Sequence, residues 1–224
     1  MDNWIEYWSQ ETQFVCDHHM HLSYQATYED FKSYVDSSDS ILDFGCGEGL
    51  FASQLSQNCN TLFLYDAAES ILDRIRLNNN HSNVKIVNSY KDIKILDLVL
   101  ISSISQYIPE QEFIEILKNL KSSIVPNGKI IISDIIPLKN SILIEALDLL
   151  KIAIQNGFFA IAILKILSSL LGNYSKVRRL LPLTKYDINR FQRNMEQLGF
   201  LCKVQENNLG LNSNRLTVVL TRID

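Results

Sequence analysis

Asp43, Gly45, Gly47 and Gly49 form a D-x-G-x-G-x-G pattern between an apolar run at Ile41, Leu42 and Phe44 and a second one at Leu50, Phe51 and Leu55. This order predicts a strand, a glycine turn and a helix. Glycines let the backbone turn sharply and approach a ligand closely, and the first turn of the following helix offers unpaired N–H groups. A nucleotide-like cofactor suits such a turn. A second acid, Asp66, closes the apolar segment Asn60 to Tyr65. A carboxylate about 20 residues beyond a glycine turn can accept hydrogen bonds from both hydroxyls of a ribose. The ordinary alternative is that Asp66 caps the helix of AAESILDRI.

Spacing selects among nucleotide cofactors. The dinucleotide fingerprint G-x-G-x-x-G needs its third glycine at position 50, which is Leu50, and this counts against an NAD-dependent oxidoreductase. With Asp43 as its acid, the pattern resembles the first motif of the class I S-adenosylmethionine-dependent methyltransferases. The resemblance implies S-adenosyl-L-methionine as cofactor and S-adenosyl-L-homocysteine as product, held by Asp43, Gly45, Cys46, Gly47 and Gly49. It also makes Asp66 the ribose-binding acid and places Ala67 against the adenine. After the next apolar run, Val84 to Val87, come Asn88, Ser89 and Tyr90, where the family commonly has an Asp for the adenine amino group. Asn88 or Ser89 stands in its place, so adenine recognition is expected to rest on a side-chain oxygen and backbone groups. The departure leaves open a catalytically inactive cofactor-binding or scaffold protein. Asp97 to Ile101 leads into SSISQYIP, which resembles the fourth motif. There Ser102 and Ser103 would face the methionine part of the cofactor, with Gln106 and Tyr107 near the substrate.

The acceptor side is less regular. His18, His19 and His21 are three of the chain's four histidines, and Tyr24 follows them. Imidazole takes a proton near neutral pH, so His18, His21 and Tyr107 are candidate catalytic bases for a hydroxyl acceptor. The segment before the first strand lies over the cofactor in methyltransferases that this chain resembles, which adds Tyr24 to Gln106 and Tyr107 as substrate contacts. Arg178, beside Tyr174, Lys176 and Arg179, could anchor an anionic acceptor group or merely solvate the helix end.

These residues need a scaffold. Alternating apolar strands and helices predict an α/β, doubly wound parallel sheet, and the resemblance implies a Rossmann-like sheet of seven mostly parallel strands, the last of them antiparallel. An amphipathic helix is expected from Pro109 to Val125, with Phe113, Leu117, Leu120 and Ile124 on one face. A helix beginning near Thr184 should turn Ile188, Phe191, Met195 and Leu198 inward and stop at Gly199. Trp4, Ile5 and Trp8 fit a short docking helix capped by Asn3 or Asp2. The expected layout is an N-terminal helical cap segment at 1–39, an α/β cofactor-binding core at 40–138, a helical insertion at 139–183, and the closing helix and strands at 184–224. Ile152 to Leu171 carries one charge, Lys165. Broken near Asn156-Gly157, the insertion is expected to roof a partly hydrophobic small-molecule acceptor and to serve as a homodimer surface, rather than to span a membrane.

Composition narrows the partners. A formal net charge of -4 disfavours nucleic acid, whose binding leans on clustered Lys and Arg. Cys16, Cys46, Cys59 and Cys202 make no C-x-x-C pair, so neither a disulfide framework nor a zinc site is expected, and no metal ligand set is assigned. The polar start MDNWIEYWSQE is not a secretory signal, and the expected location is cytoplasmic. The resulting expectation is O- or N-methylation of a small molecule.

Overall fold

The computed structural model describes residues 4–8, 14–171 and 179–223. Seven strands, β1 (Ser40–Phe44), β2 (Thr61–Tyr65), β3 (Val84–Ile86), β4 (Leu96–Ser102), β5 (Ile124–Ile135), β6 (Phe200–Val204) and β7 (Leu216–Arg222), form one sheet in the order β3-β2-β1-β4-β5-β7-β6. β1 to β5 pair in parallel, and β7 enters antiparallel between β5 and β6. The helices are α1 (Trp4–Trp8), α2 (Asp17–Phe31), α3 (Ala52–Ser56), α4 (Glu69–Asn78), α5 (Glu110–Lys121), α6 (Ile142–Gln155), α7 (Phe159–Leu171) and α8 (Ile188–Gln197).

Successive strand residues point to opposite faces, and both faces are covered. Leu42, Phe44, Val99, Ile101 and Ile132 pack with Phe113 and Leu117 of α5 and with Phe191 and Met195 of α8. Ile41, Leu98, Leu100 and Ile131 pack on the other side with Phe31 of α2, Leu55 of α3 and Ile71 and Leu72 of α4. The apolar runs read as strands are therefore buried on both faces, and the ligand-bearing turns project from the carboxyl end of a rigid layer.

Several boundaries differ from the sequence expectation. The helix expected after the glycines starts at Ala52. Ile124 is a strand residue, because it pairs with Leu96 across a register shift that takes up the Pro126-Asn127-Gly128 irregularity. Asp187, not Thr184, caps α8: its carboxylate accepts from the backbone N–H of Asn189 and Arg190. Thr184 is used elsewhere, its N–H donating to Gln106 O at 2.8 Å and its hydroxyl to Ile108 O at 2.8 Å. Tyr186, buried to 1% exposure, bridges to Pro137 and donates its hydroxyl to Ser105 O at 2.9 Å. Gly199 does end α8, with φ at 81°.

The segment 139–183 contains α6 and α7, separated at Asn156-Gly157. Ala153, Phe158 and Ala162 bury against Val15, Cys16 and Leu22. Leu143, Leu147, Leu164 and Leu167 are exposed, so the apolar surface of this pair faces largely outward. Among the described residues, no helix is long and apolar enough to cross a membrane.

Candidate active site

A cleft of about 1680 Å³ runs along the carboxyl ends of β1, β2 and β4. Its floor is the turn after β1. Gly45, Gly47 and Gly49 all take positive φ, at 79°, 53° and 65°. At Gly47 an added Cβ would lie 3.2 Å from the Tyr24 hydroxyl, so the turn is both left-handed and crowded from above. Asp43 is 2% exposed and lines the cleft, and its Oδ2 has no hydrogen-bond partner. Burial first, then the charge of Asp66, pushes its carboxyl up to about 7.

Asp66 does not cap α4. The residue at the cap position is Ala68, with no side-chain hydrogen bond to the helix. Instead Asp66 Oδ1 accepts from Ala68 N–H at 2.9 Å and Oδ2 from Gly47 N–H at 3.1 Å, tying the turn after β2 to the glycine turn. Burial raises its carboxyl above the usual range, and those two amides offset part of the shift. Ala67, Asn88, Ser89 and Tyr90 line the same cleft. Asn88 Oδ1 accepts from Arg76, and Ser89 Oγ accepts from Lys91 N–H at 3.3 Å, so both side-chain oxygens have protein donors. Tyr90, Phe44 and Tyr65 form an aromatic wall, with ring centroids 5.0 to 5.3 Å apart. Cys46 is buried, and burial raises its thiol well above the ordinary value, which keeps it protonated.

Ser102 and Ser103 complete the row at the end of β4. Ser102 Oγ meets Ser133 Oγ at 3.0 Å, while Ser103 has φ at 59° and donates its hydroxyl to Asp134. Beyond them lies a second cavity of about 430 Å³, between α2, α6, α7 and the segment before β7. Ser103, Tyr107 and Lys165 line both cavities. Asp134, Glu145, Arg215 and His19 line the second, together with Leu149, Ile152 and Ile166. The insertion thus presents a mixed lining here, with Glu145 and Lys165 among its apolar residues.

The expected acceptor residues separate. Tyr24 sits over the glycine turn, its ring 4.9 Å from that of Phe51, and burial raises its phenol strongly. Tyr107 meets Trp4 at a tilt and Trp8 edge-on, with ring centroids 5.0 and 5.4 Å apart, which docks α1 onto the core. Gln106 turns away from the larger cleft: it is buried, donates to Ser103 O at 2.7 Å and leaves Oε1 unpartnered. His18 and His21 are exposed and line neither cavity, because α2 turns Met20, Tyr24 and Thr27 toward the cleft and the histidines to other faces. His18 instead reaches Asn156 O at 3.2 Å. His19, beside Phe158, has its proton affinity lowered by burial and by His18. Arg178, Tyr174 and Lys176 lie outside the described residues, as do Asn3 and Asp2. Among the described residues, no cluster of His, Cys, Asp or Glu could hold a metal ion. Two residues given no role in the sequence bear on the site: Asp134 lines the second cavity and Lys165 both; the available signal for Asp134 was an acid at the carboxyl end of an apolar strand.

Against known proteins, residues 16–200 match the family model of a methyltransferase domain. The chain belongs to that methyltransferase family. It is similar to a ubiquinone biosynthesis O-methyltransferase of Rickettsia bellii (strain OSU 85-389), 28% identical over 138 residues, which cover 58% of this chain and 57% of that protein. The chain therefore spans about half the length of the curated relatives it matches, 57% of that protein and 43% of the relatives from Coxiella burnetii. Among solved structures, magnesium protoporphyrin IX methyltransferase (ChlM) from Synechocystis PCC 6803 with bound SAH aligns over 95% of this chain and 89% of that one, at TM-score 0.58 and 14% identity. The DhpI-SAH complex aligns over 98% and 95%, at TM-score 0.61 and 14% identity. At such identities the likeness is one of fold, and it is the Rossmann-like class I methyltransferase fold.

Proposed function

We propose that this methyltransferase-family chain transfers a methyl group from S-adenosyl-L-methionine to a hydroxyl of a small, partly hydrophobic acceptor. The observation that carries the reading is the buried, unpartnered Oδ2 of Asp43 beside a glycine turn that a Cβ would obstruct. A carboxylate held there needs a donor from outside the protein, and the ammonium of the cofactor's methionine part supplies one. Asp66 would accept from the ribose hydroxyls; Ala67 and Tyr90 would flank the adenine; Asn88 and Ser89 would meet its edge with backbone groups; Ser102 and Ser103 would face the sulfonium. When bound, the cofactor supplies the electrophilic methyl carbon. The chain's own task is to exclude water and align the acceptor's lone pair, since in-line displacement depends on position. Oxygen is preferred over nitrogen as the acceptor atom because the curated relatives carry the name O-methyltransferase.

In this reading 40–138 and 184–224 form the cofactor core, 1–39 covers it, and 139–183 closes over the acceptor. The outward apolar face of α6 and α7 supports a homodimer, and location in the cytoplasm remains part of the proposal. Calorimetry decides the cofactor: binding of S-adenosylmethionine and S-adenosylhomocysteine with none of NAD is expected, and NAD binding alone overturns the reading. Transfer of labelled methyl to a panel of hydroxylated and amine metabolites decides between an enzyme and an inactive binding protein.

A further inference from the structure

Ser102 and Ser133 are partners across parallel strands, so Ser103, just past the end of β4, lies beside Asp134, which sits where β5 shifts register against β7. Both are left-handed, with φ at 59° and 62°, a conformation that side chains other than glycine's rarely adopt and that clusters at functional sites. Ser103 Oγ donates to Asp134 Oδ2. Asn208 Nδ2 donates to Asp134 Oδ1 at 2.6 Å, and Asn208 Oδ1 accepts from Asp134 N–H at 3.0 Å and from the Thr217 hydroxyl at 2.9 Å. The carboxylate is thus oriented at both oxygens. Among the described residues it forms no ion pair: Arg215 donates to the Asp134 backbone oxygen at 3.3 Å and commits its other nitrogen to Glu145 at 3.1 Å. A hydroxyl held by an oriented, unneutralised carboxylate at the junction of two cavities has the arrangement of a nucleophile-side base.

We infer that Ser103 and Asp134 are the proton-accepting pair for a hydroxylated aromatic acceptor bound in the second cavity, an assignment that rests on the methyltransferase reading above. Leu149, Ile152 and Ile166 give the ring an apolar berth, and Ser103, shared by both cavities, meets its hydroxyl. Ser103 Oγ takes the acceptor's proton and passes its own to Asp134 Oδ2. The acceptor oxygen gains the methyl carbon, and the sulfonium sulfur keeps the bonding pair. The products are a methyl ether, a neutral thioether and a protonated Asp134. The charged or titratable groups lining this cavity with the pair are Tyr7 of α1, His19 of α2, Tyr107, Glu145 of α6, Lys165 of α7 and Arg215 before β7, and His18 and His21, which the sequence suggests as bases, take no part.

The test uses the full chain with two probes, catechol and 4-nitrocatechol, the second already ionised at mildly alkaline pH. Asp134→Asn keeps the shape and the bond to Asn208 but cannot take a proton, and Ser103→Gly removes the hydroxyl while tolerating the left-handed backbone. Asp134→Asn, which lies outside the cofactor cleft, is expected to keep the wild-type S-adenosylhomocysteine affinity in calorimetry, and both variants are expected to lose about 100-fold in kcat on catechol. On 4-nitrocatechol Asp134→Asn should match the wild type. Equal loss on both probes would mean a structural role and overturn the pairing, as would wild-type rates in both variants. A wild type that binds S-adenosylhomocysteine but methylates neither probe overturns the assignment of the cavity to a hydroxylated ring. A wild type that does not bind S-adenosylhomocysteine overturns the methyltransferase reading itself.

Discussion

The larger cleft and the smaller cavity meet at Ser103, Tyr107 and Lys165, yet they are built by opposite means. The floor of the cleft is laid out by local backbone, three left-handed glycines and the turns after β1, β2 and β4, with two carboxylates at strand ends. The smaller cavity is made by side chains from segments far apart, with Ser103 and Asp134 separated by 31 residues and Asp134 and Asn208 by 74. Recognition by backbone shape leaves a compositional mark, glycine and aspartate at fixed offsets. Recognition by gathered side chains leaves none, because any polar residue in any register can be brought to such a place by the fold.

This contrast can be broken most sharply at Gly47. Gly47→Val forces a branched side chain into left-handed backbone, a strain of about 1–3 kcal/mol, and toward the Tyr24 hydroxyl. The expected outcome is a folded protein by circular dichroism with no measurable S-adenosylhomocysteine binding; retained affinity would separate the turn from the cofactor.

Asp43 gives the next largest effect, and it depends on pH. Its carboxyl is raised in the folded chain to about 7, above the usual carboxylate range of the unfolded one. The stability it contributes is therefore full below the unfolded value and is lost as pH rises through about 7, at roughly 1.4 kcal/mol per unit of separation. Thermal melts of ligand-free protein between acid and neutral pH should show this decline, and Asp43→Asn should flatten it. A variant whose pH dependence matches the wild type would mean that Asp43 is not the titrating group.

At Asp66 the expected loss is smaller. Asp66→Ala should weaken cofactor binding by about 1.5–3 kcal/mol, the range for hydrogen bonds to a charged group. Because Gly47 and Ala68 lose their acceptor too, a modest drop in melting temperature should accompany it. A large drop with unchanged affinity would make the residue a structural tie only.

The smallest free-energy change is expected in α6 and α7, where the comparison is sharpened rather than broken. If these helices close over the acceptor, amide exchange across 152–171 should slow when S-adenosylhomocysteine and acceptor bind, and be indifferent to dilution. Protection that follows protein concentration and ignores ligand would assign the segment to dimer packing.

The elements carrying the cleft were legible because each is locally coded. DFGCGEG can turn only one way, and the apolar runs of β1, β2, β4 and β5 are too continuous for anything but strands covered on both faces. Legibility failed where a local preference competed with a distant partner. Thr184 is a good helix cap by type, but the loop after β4 claims its hydroxyl and N–H, and Asp187 takes over. Ile124 fits the helical face of α5 by periodicity, but Leu96 draws it into the sheet.

By itself, then, the sequence determined the alternation of strands and helices, the left-handed glycine turn and the acids that face it, because these follow from steric limits and periodicity within a few residues. Only the tertiary structure decided which face of α2 looks into the cleft, that Met20, Tyr24 and Thr27 point inward while His18 and His21 do not. It alone brought Asn208 to Asp134 and turned Lys165, the one charge on α7, toward the junction of the cavities. Those outcomes depend on how packed layers are rotated against one another, and that rotation is set by the sum of many small contacts along the chain rather than by any one stretch of it.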